Sequence, residues 1–249
     1  ADLWFSRLTL KPQSDVRRIA ARLVGQRAGG GDAVAARHHL LWDVFGGDEV
    51  DARDFLWRED RDGTIFALSR RPPPADTALF EVAAKPFEPR LRPGDRLAFS
   101  LRANATECAP GSAAERRRGK RRDVVKRFID ELPPGERAAR RMAVANRAGL
   151  AWLDRQATGA GFRIPAAEPA EDDEDIEVEA GSAARVTSYR VIDVPRGTAR
   201  HAPRATFGVL DFEGLLEVTD PEPFIARLAR GFGRGKAFGF GLMLIRRAA

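Results

Sequence analysis

Two stretches of this chain hold side chains whose types and spacing fit chemistry on a phosphate. The first is RHHLLWDVF, Arg37 to Phe45, where two of the three histidines, His38 and His39, are adjacent. An imidazole takes up or releases a proton near neutral pH, as a general acid or base must. The second is GFGRGKAFGFG, Gly231 to Gly241, in which five of eleven residues are glycine and Arg234 and Lys236 add two cations. Alternating glycines leave backbone N–H groups open to a phosphate chain. No Walker A loop fits, because no glycine lies five residues before Gly235 and Ala237 follows the lysine where Ser or Thr is required. The dinucleotide fingerprint fails as well, since Lys236 stands where its third glycine would be. A plainer reading remains for each stretch. The glycines also fit a turn between a helix and an edge strand, and the histidine pair also fits one partly buried ring beside an exposed one. His201, in GTARHAPRA, reads as a solvated loop histidine.

The wider composition limits what these residues can serve. In 249 residues, 43% are hydrophobic and 8% aromatic, enough for one large domain or two small ones. No apolar run reaches the roughly 18 residues of a membrane span. The opening ADLWFSRLTL lacks the basic and apolar regions of a secretory leader, so a soluble, cytoplasmic protein is expected. Cys108 is the single cysteine, and three histidines beside it offer little for a structural zinc site. No cofactor or metal is expected. Net charge is +6, but unevenly spread. From Glu115 to Arg127, eight basic residues (Arg116, Arg117, Arg118, Lys120, Arg121, Arg122, Lys126 and Arg127) meet two acids, whereas Glu168 to Glu179 holds eight acids and no base. A run so basic repels itself unless it faces a polyanion, which points to nucleic acid. It fits a solvated arginine-rich loop equally well. The acidic segment reads as a solvated loop.

The elements that must position these residues follow an α+β order. Leu3 to Leu10 reads as a strand stopped by Pro12, and Asp15 opens a helix through Val24. Gly29 to Gly31 end it, and Asp32 caps a second helix carrying Leu40, Leu41, Val44 and Phe45. Phe55 to Trp57 and Thr64 to Ser69 flank a DRDG turn as a hairpin, followed by strands at Leu79 to Ala84 and Arg96 to Arg102. Then come a helix over Ala138 to Gln156 and strands at Arg185 to Val194, Thr206 to Phe212 and Leu215 to Thr219. Asp220-Pro221 starts a helix that ends at Gly231, and Phe240 to Ile245 forms the last strand.

Taken together, these residues resemble the CasE family, the CRISPR repeat-RNA endoribonucleases of type I-E Cascade complexes. The likeness rests on the opening strand LWFSRLTL, the helix motif His38-x-x-x-Trp42-x-x-Phe45, the strand SLRANA from Ser100 to Ala105, and FEGLLEV from Phe212. It rests most on the family's pattern Gly-x-Gly-x-x-Lys-x-x-Gly-x-Gly, met by Gly231, Gly233, Lys236, Gly239 and Gly241. The resemblance implies two tandem ferredoxin-like (RRM-like) domains with a C-terminal glycine-rich loop: residues 1–107 with the catalytic histidine, and 108–249 with the basic run and the loop. It implies metal-independent cleavage of precursor CRISPR RNA at the base of the repeat hairpin, with His38 and Lys236 as catalytic residues. Arg116, Arg117, Arg118, Lys120, Arg121, Arg122, Gly231, Gly233, Arg234, Gly235, Gly239 and Gly241 would bind RNA. Its partners would be the repeat hairpin and other Cascade subunits. The alternative is a subunit that holds the hairpin without cutting. Family members commonly carry a tyrosine three residues before the histidine. Here that position is Ala35, and the only tyrosine is Tyr189.

Replacing Arg117, Arg118, Arg121 and Arg122 together by alanine is expected to weaken binding of the repeat hairpin. Affinity titrations across salt should show the log–log slope shallower by roughly 0.7–0.9 for each phosphate no longer neutralised. An unchanged slope would put the run away from RNA.

Overall fold

The computed structural model describes residues 3–11, 30–46, 54–75, 77–108, 121–167, 181–195 and 203–248. The expected helix from Asp15, the acidic segment and His201 lie outside them. The elements in chain order are β1 (Trp4–Leu10), α1 (Gly30–Phe45), β2 (Phe55–Glu59), β3 (Ile65–Ser69), β4 (Phe80–Pro86), β5 (Arg96–Asn104), β6 (Thr106–Cys108) and β7 (Arg121–Asp123). They continue as α2 (Val124–Asp130), α3 (Arg137–Ala157), β8 (Phe162–Arg163), β9 (Ala184–Pro195), β10 (Arg204–Val218), α4 (Pro221–Arg230) and β11 (Met243–Arg247). The chain forms two compact units. One holds residues 1–89, 191–207 and 233–242; the other holds 90–190, 208–232 and 243–249. The chain therefore passes between units more than once, rather than dividing at a single point near residue 107.

The first unit is built on an antiparallel sheet of order β2-β3-β1-β4. With α1 between β1 and β2, this is the ferredoxin-like strand order. Alternation along β1 turns Leu8 into the core, where it meets Leu41 and Phe45 of α1, Phe55 and Trp57 of β2, Ile65 and Ala67 of β3, and Phe80 of β4. No helix forms among the described residues between β3 and β4. Pro72, Pro73 and Pro74 follow Arg71 there, removing backbone donors and pushing the preceding residues out of the helical region. α1 begins at Gly30, ahead of Asp32, so Asp32 lies inside the helix instead of capping it.

The second unit repeats the order as β11-β5-β10-β8, with β9 also pairing β10. β5 buries Leu97, Phe99, Leu101 and Ala103 on one face. α3 lays Val144, Ala148, Trp152 and Leu153 in this unit's core, with Trp152 stacked on Phe212 at 5.8 Å between ring centroids. Asp220 caps α4 as expected, accepting from the Glu222 N–H at 3.2 Å. Two sequence expectations need correction. β10 is one strand, because its register with β5 runs without a break through Gly214, opposite Phe99. The helix expected over Ala138 to Gln156 does not come next after the strand at Arg96 to Arg102, because β6, β7 and α2 intervene.

α2 starts on Asp123, whose Oδ1 accepts from the Val125 N–H at 2.7 Å and the Lys126 N–H at 3.0 Å. Its other oxygen accepts from the Tyr189 hydroxyl at 3.2 Å. Burial, with the Asp123 carboxylate beside it, holds the Tyr189 phenol well above its ordinary value, so it stays protonated and donates. Gly208 lies against this carboxylate, and a Cβ there would run into Asp123 Oδ2. Asn104, at the end of the LRAN strand, donates to the Gly208 carbonyl at 2.8 Å and so fixes that approach.

Asp123→Ala is expected to lower stability by about 0.5–2 kcal/mol, the usual cost of a lost N-cap. Gly208→Ala should cost at least as much in the natural sequence and less in the Asp123→Ala background, where the carboxylate is gone. Urea denaturation of the two single variants and the double variant checks this.

Candidate functional site

His38 lies in the second half of α1, and the helical period sets its surroundings. Leu41, Trp42 and Phe45 follow it at spacings of three, four and seven, so the histidine shares the edge of the core-facing stripe. It is half-buried, whereas His39, about 100° further round the helix, is exposed. The His38 ring meets Trp42 edge-on at 5.8 Å and Phe238 edge-on at 6.1 Å. On the same helix, Arg37 pairs with Glu59 of β2 at 2.6 Å.

Phe238 belongs to the glycine stretch, so the structure brings the two chemistry-bearing motifs together within the first unit. Lys236–Phe238 is a single 3-10 turn. Gly235 precedes it at φ 71° and Gly239 follows it at φ 77°, both in the left-handed region where a Cβ is disfavoured. Space demands glycine too: a Cβ on Gly239 would stand 3.1 Å from the Trp57 ring. The Trp57 indole N–H donates to the Ala237 carbonyl at 3.1 Å. Phe207 completes the setting, with its ring 5.3 Å from Phe238 and 5.9 Å from Phe240. Not every amide of the stretch is open to a phosphate. The N–H groups of Phe238 and Gly239 donate within the turn to the Gly235 and Lys236 carbonyls.

The other expected site residues are placed as follows. Gly231 caps α4 and belongs to the second unit, while Gly233, Arg234, Gly235, Lys236, Gly239 and Gly241 belong to the first, with Arg234 exposed. Arg121 and Arg122 are exposed on β7 in the second unit, paired across the ladder with Cys108 and Glu107 of β6. Arg116, Arg117, Arg118 and Lys120 lie outside the described residues. The end of the basic run is partly neutralised: Lys126 reaches Asp130 at 2.9 Å and Arg127 reaches Glu107 at 2.7 Å. Among the described residues, no group of three or more His, Cys, Asp or Glu is placed to hold a metal. None of their helices is long and apolar enough to cross a membrane. Sequence reasoning misses Trp57. The one signal it offers is that a core tryptophan must find a partner for its N–H.

Two tandem ferredoxin-like units, with a histidine helix and a glycine-flanked lysine turn meeting in the first, define a class of protein that known relatives identify. The profile of the CRISPR associated protein family matches residues 3–247, and the chain belongs to that family. A curated relative, the CRISPR-associated endoribonuclease Cse3 of Thermus thermophilus, is 32% identical over 164 residues, covering 65% of this chain. That match spans 60% of the relative's length. The structure of Thermus thermophilus Cse3 bound to an RNA representing a pre-cleavage complex is 26% identical, with a TM-score of 0.63 over 99% of this chain and all of the other. The CRISPR-associated protein Cas6e of Escherichia coli K-12 shares the fold, at 20% identity and a TM-score of 0.55, over 98% of this chain and 100% of that one. The CasE resemblance carried by the histidine helix and glycine stretch therefore stands.

Gly239→Ala is expected to destabilise the protein by more than Gly63→Ala. Both glycines have positive φ, but a Cβ on Gly63 meets nothing within 4 Å. Gly63→Ala reports the backbone cost alone, roughly 1–2 kcal/mol, and the excess at Gly239 reports the fit against Trp57. Thermal melts of the two variants provide the comparison.

Proposed function

We propose that this protein is a metal-independent endoribonuclease that cuts precursor CRISPR RNA at the base of the repeat hairpin and keeps the mature hairpin as a cytoplasmic Cascade subunit. The observation that carries the reading is the meeting of His38 with the Lys236–Phe238 turn, ring to ring at 6.1 Å. The named activity of the Thermus relative and the RNA bound in its structure support it.

The chemistry needs few groups. The RNA supplies its own nucleophile, the 2′-OH, which must lie in line with the scissile phosphorus and the leaving 5′-oxygen. His38 takes the 2′-OH proton, and Lys236 offsets the negative charge that grows on the phosphoryl oxygens. As the 2′-O–P bond forms the P–5′-O bond breaks, and the leaving 5′-oxygen takes up one proton, directly or through water, in balance with the one His38 accepted, so the products are a 2′,3′-cyclic phosphate and a 5′-OH. Arg121 and Arg122, together with Arg116, Arg117, Arg118 and Lys120, track stem phosphates, since A-form RNA hides its base edges in a deep major groove. Arg234 and the glycines around Lys236 hold backbone near the cut. The grip on the stem does not change in the reaction, so product is held as tightly as substrate and release is slow. The family resemblance supports Lys236 as the cation that offsets the phosphoryl charge; with Ala35 at the family tyrosine's position, that tyrosine's contribution is absent or is made by Lys236 or His39.

In EDTA with repeat RNA in excess, the natural sequence should form one equivalent of cyclic-phosphate product quickly and then plateau. His38→Ala should abolish the burst while hairpin affinity stays within a few fold, because the imidazole acts on the 2′-OH proton and the grip on the stem rests on the basic run. His39→Ala should keep most of the activity. Binding without any cleavage by the natural sequence would instead establish the non-catalytic hairpin subunit.

A further inference from the structure

Trp57 is 2% exposed, on β2, and joins two pieces of chain that are 180 residues apart. Its indole N–H donates to the carbonyl of Ala237, the middle residue of the turn whose first residue is Lys236 and whose last is Phe238. Its ring face is the surface against which Gly239 closes the turn, at the distance where a Cβ would already press on it. Trp57 itself does not move freely. β2 is hydrogen-bonded along β3, and the ring is packed in the core that includes Leu41 and Phe45 of α1, the helix that carries His38. The tryptophan therefore holds the histidine helix through apolar packing and the lysine turn through a directional bond.

We infer that Trp57 is a positioning residue that sets the Lys236 turn against His38, and that it acts on catalysis through Lys236 without touching RNA. This rests on the reading of His38 and Lys236 as the catalytic pair. The physical argument is one of registry. A 3-10 turn with a left-handed glycine at each end is a loose element on its own, because its i to i+3 bonds are few and poorly aligned. One buried donor aimed at its central carbonyl, with a flat ring under its exit, fixes both its rotation and its height. Loss of that bond leaves the fold standing and lets the ammonium drift from where charge develops. A displacement of about 1 Å costs up to about 100-fold in rate.

The test uses the full chain and single-turnover cleavage of repeat RNA, with hairpin affinity and melting temperature measured alongside. Trp57→Phe keeps a flat ring and removes the N–H. It is expected to bind the hairpin within about threefold of the natural sequence and to cleave about 10–100-fold more slowly. In a double-mutant cycle, Trp57→Phe should slow the Lys236→Ala variant little or not at all, because the group it positions is already gone. A purely structural role would lower the rate by the same factor in both backgrounds, and that additivity would overturn the inference, as would an unchanged rate in Trp57→Phe. If Trp57→Phe does not fold, Gly239→Ala, which pushes the turn off the ring from the other side, must show the same dependence on Lys236 or the inference falls. If His38→Ala and Lys236→Ala both cleave normally, the catalytic reading itself fails. That outcome is distinct from an inactive His38→Ala beside a fully active Trp57→Phe.

Discussion

A buried indole N–H has to find an acceptor, and much of the first unit's functional geometry follows from where this one finds it. Leaving the Trp57 donor unmade would cost about 1–3 kcal/mol, so the carbonyl of Ala237 is drawn to it at 3.1 Å. The direction of that carbonyl then dictates a tight turn, and the tight turn dictates left-handed backbone at Gly235 and Gly239. Side chains on either flank are excluded, by Phe240 at Gly235 and by Trp57 itself at Gly239. What reads in the sequence as a phosphate-cradling glycine run is thus also a conformational requirement of the Lys236–Phe238 turn at Gly235 and Gly239.

The second unit solves a related problem with a carboxylate. Asp123 accepts from two amides at the start of α2 and from the Tyr189 hydroxyl, so β7, α2 and β9 converge on one side chain. Gly208 of β10 leaves the room for it, and Asn104 of β5 pins Gly208 in place. The strand bearing the family's LRAN signature is thereby tied to the cap beneath the end of the basic run. Arg102 of the same signature bridges Asp211 at 2.7 Å, and Arg190 reaches that carboxylate's other oxygen at 3.0 Å. These signature residues hold the sheet together.

Local signals are legible in the sequence and nonlocal ones are not. α3 and α4 are readable because apolar periodicity, the Asp220 cap and the Pro221 start all act within one or two turns of helix. β1 and the β2–β3 hairpin are readable from alternation and the DRDG turn. α2 escapes such a reading because its cap, Asp123, and its cations, Lys126 and Arg127, look like members of a charge run, which hides the buried pair Val124 and Val125. β10 divides in two on sequence alone because Gly214 looks like a turn until its register against β5 is known. His38 stands out by residue type, and its half-buried place beside an exposed His39 follows from its helical spacing to Leu41 and Phe45. The part played by Trp57 leaves no such trace, because its partner lies 180 residues away and is a backbone carbonyl, which does not mark the side-chain pattern.

That separation has a temporal side. A ribosome adding about 5–20 residues per second needs roughly 10–40 s to travel from the codon for Trp57 to the codon for Ala237. Strands β1 to β4 are all in hand by residue 86, so their sheet can assemble early in that interval. Throughout it, the nascent sheet carries an indole with no acceptor and a histidine helix with no lysine turn beside it. The first unit is therefore closed only when residues 233–242, far along the chain, join a sheet built from its first 86 residues.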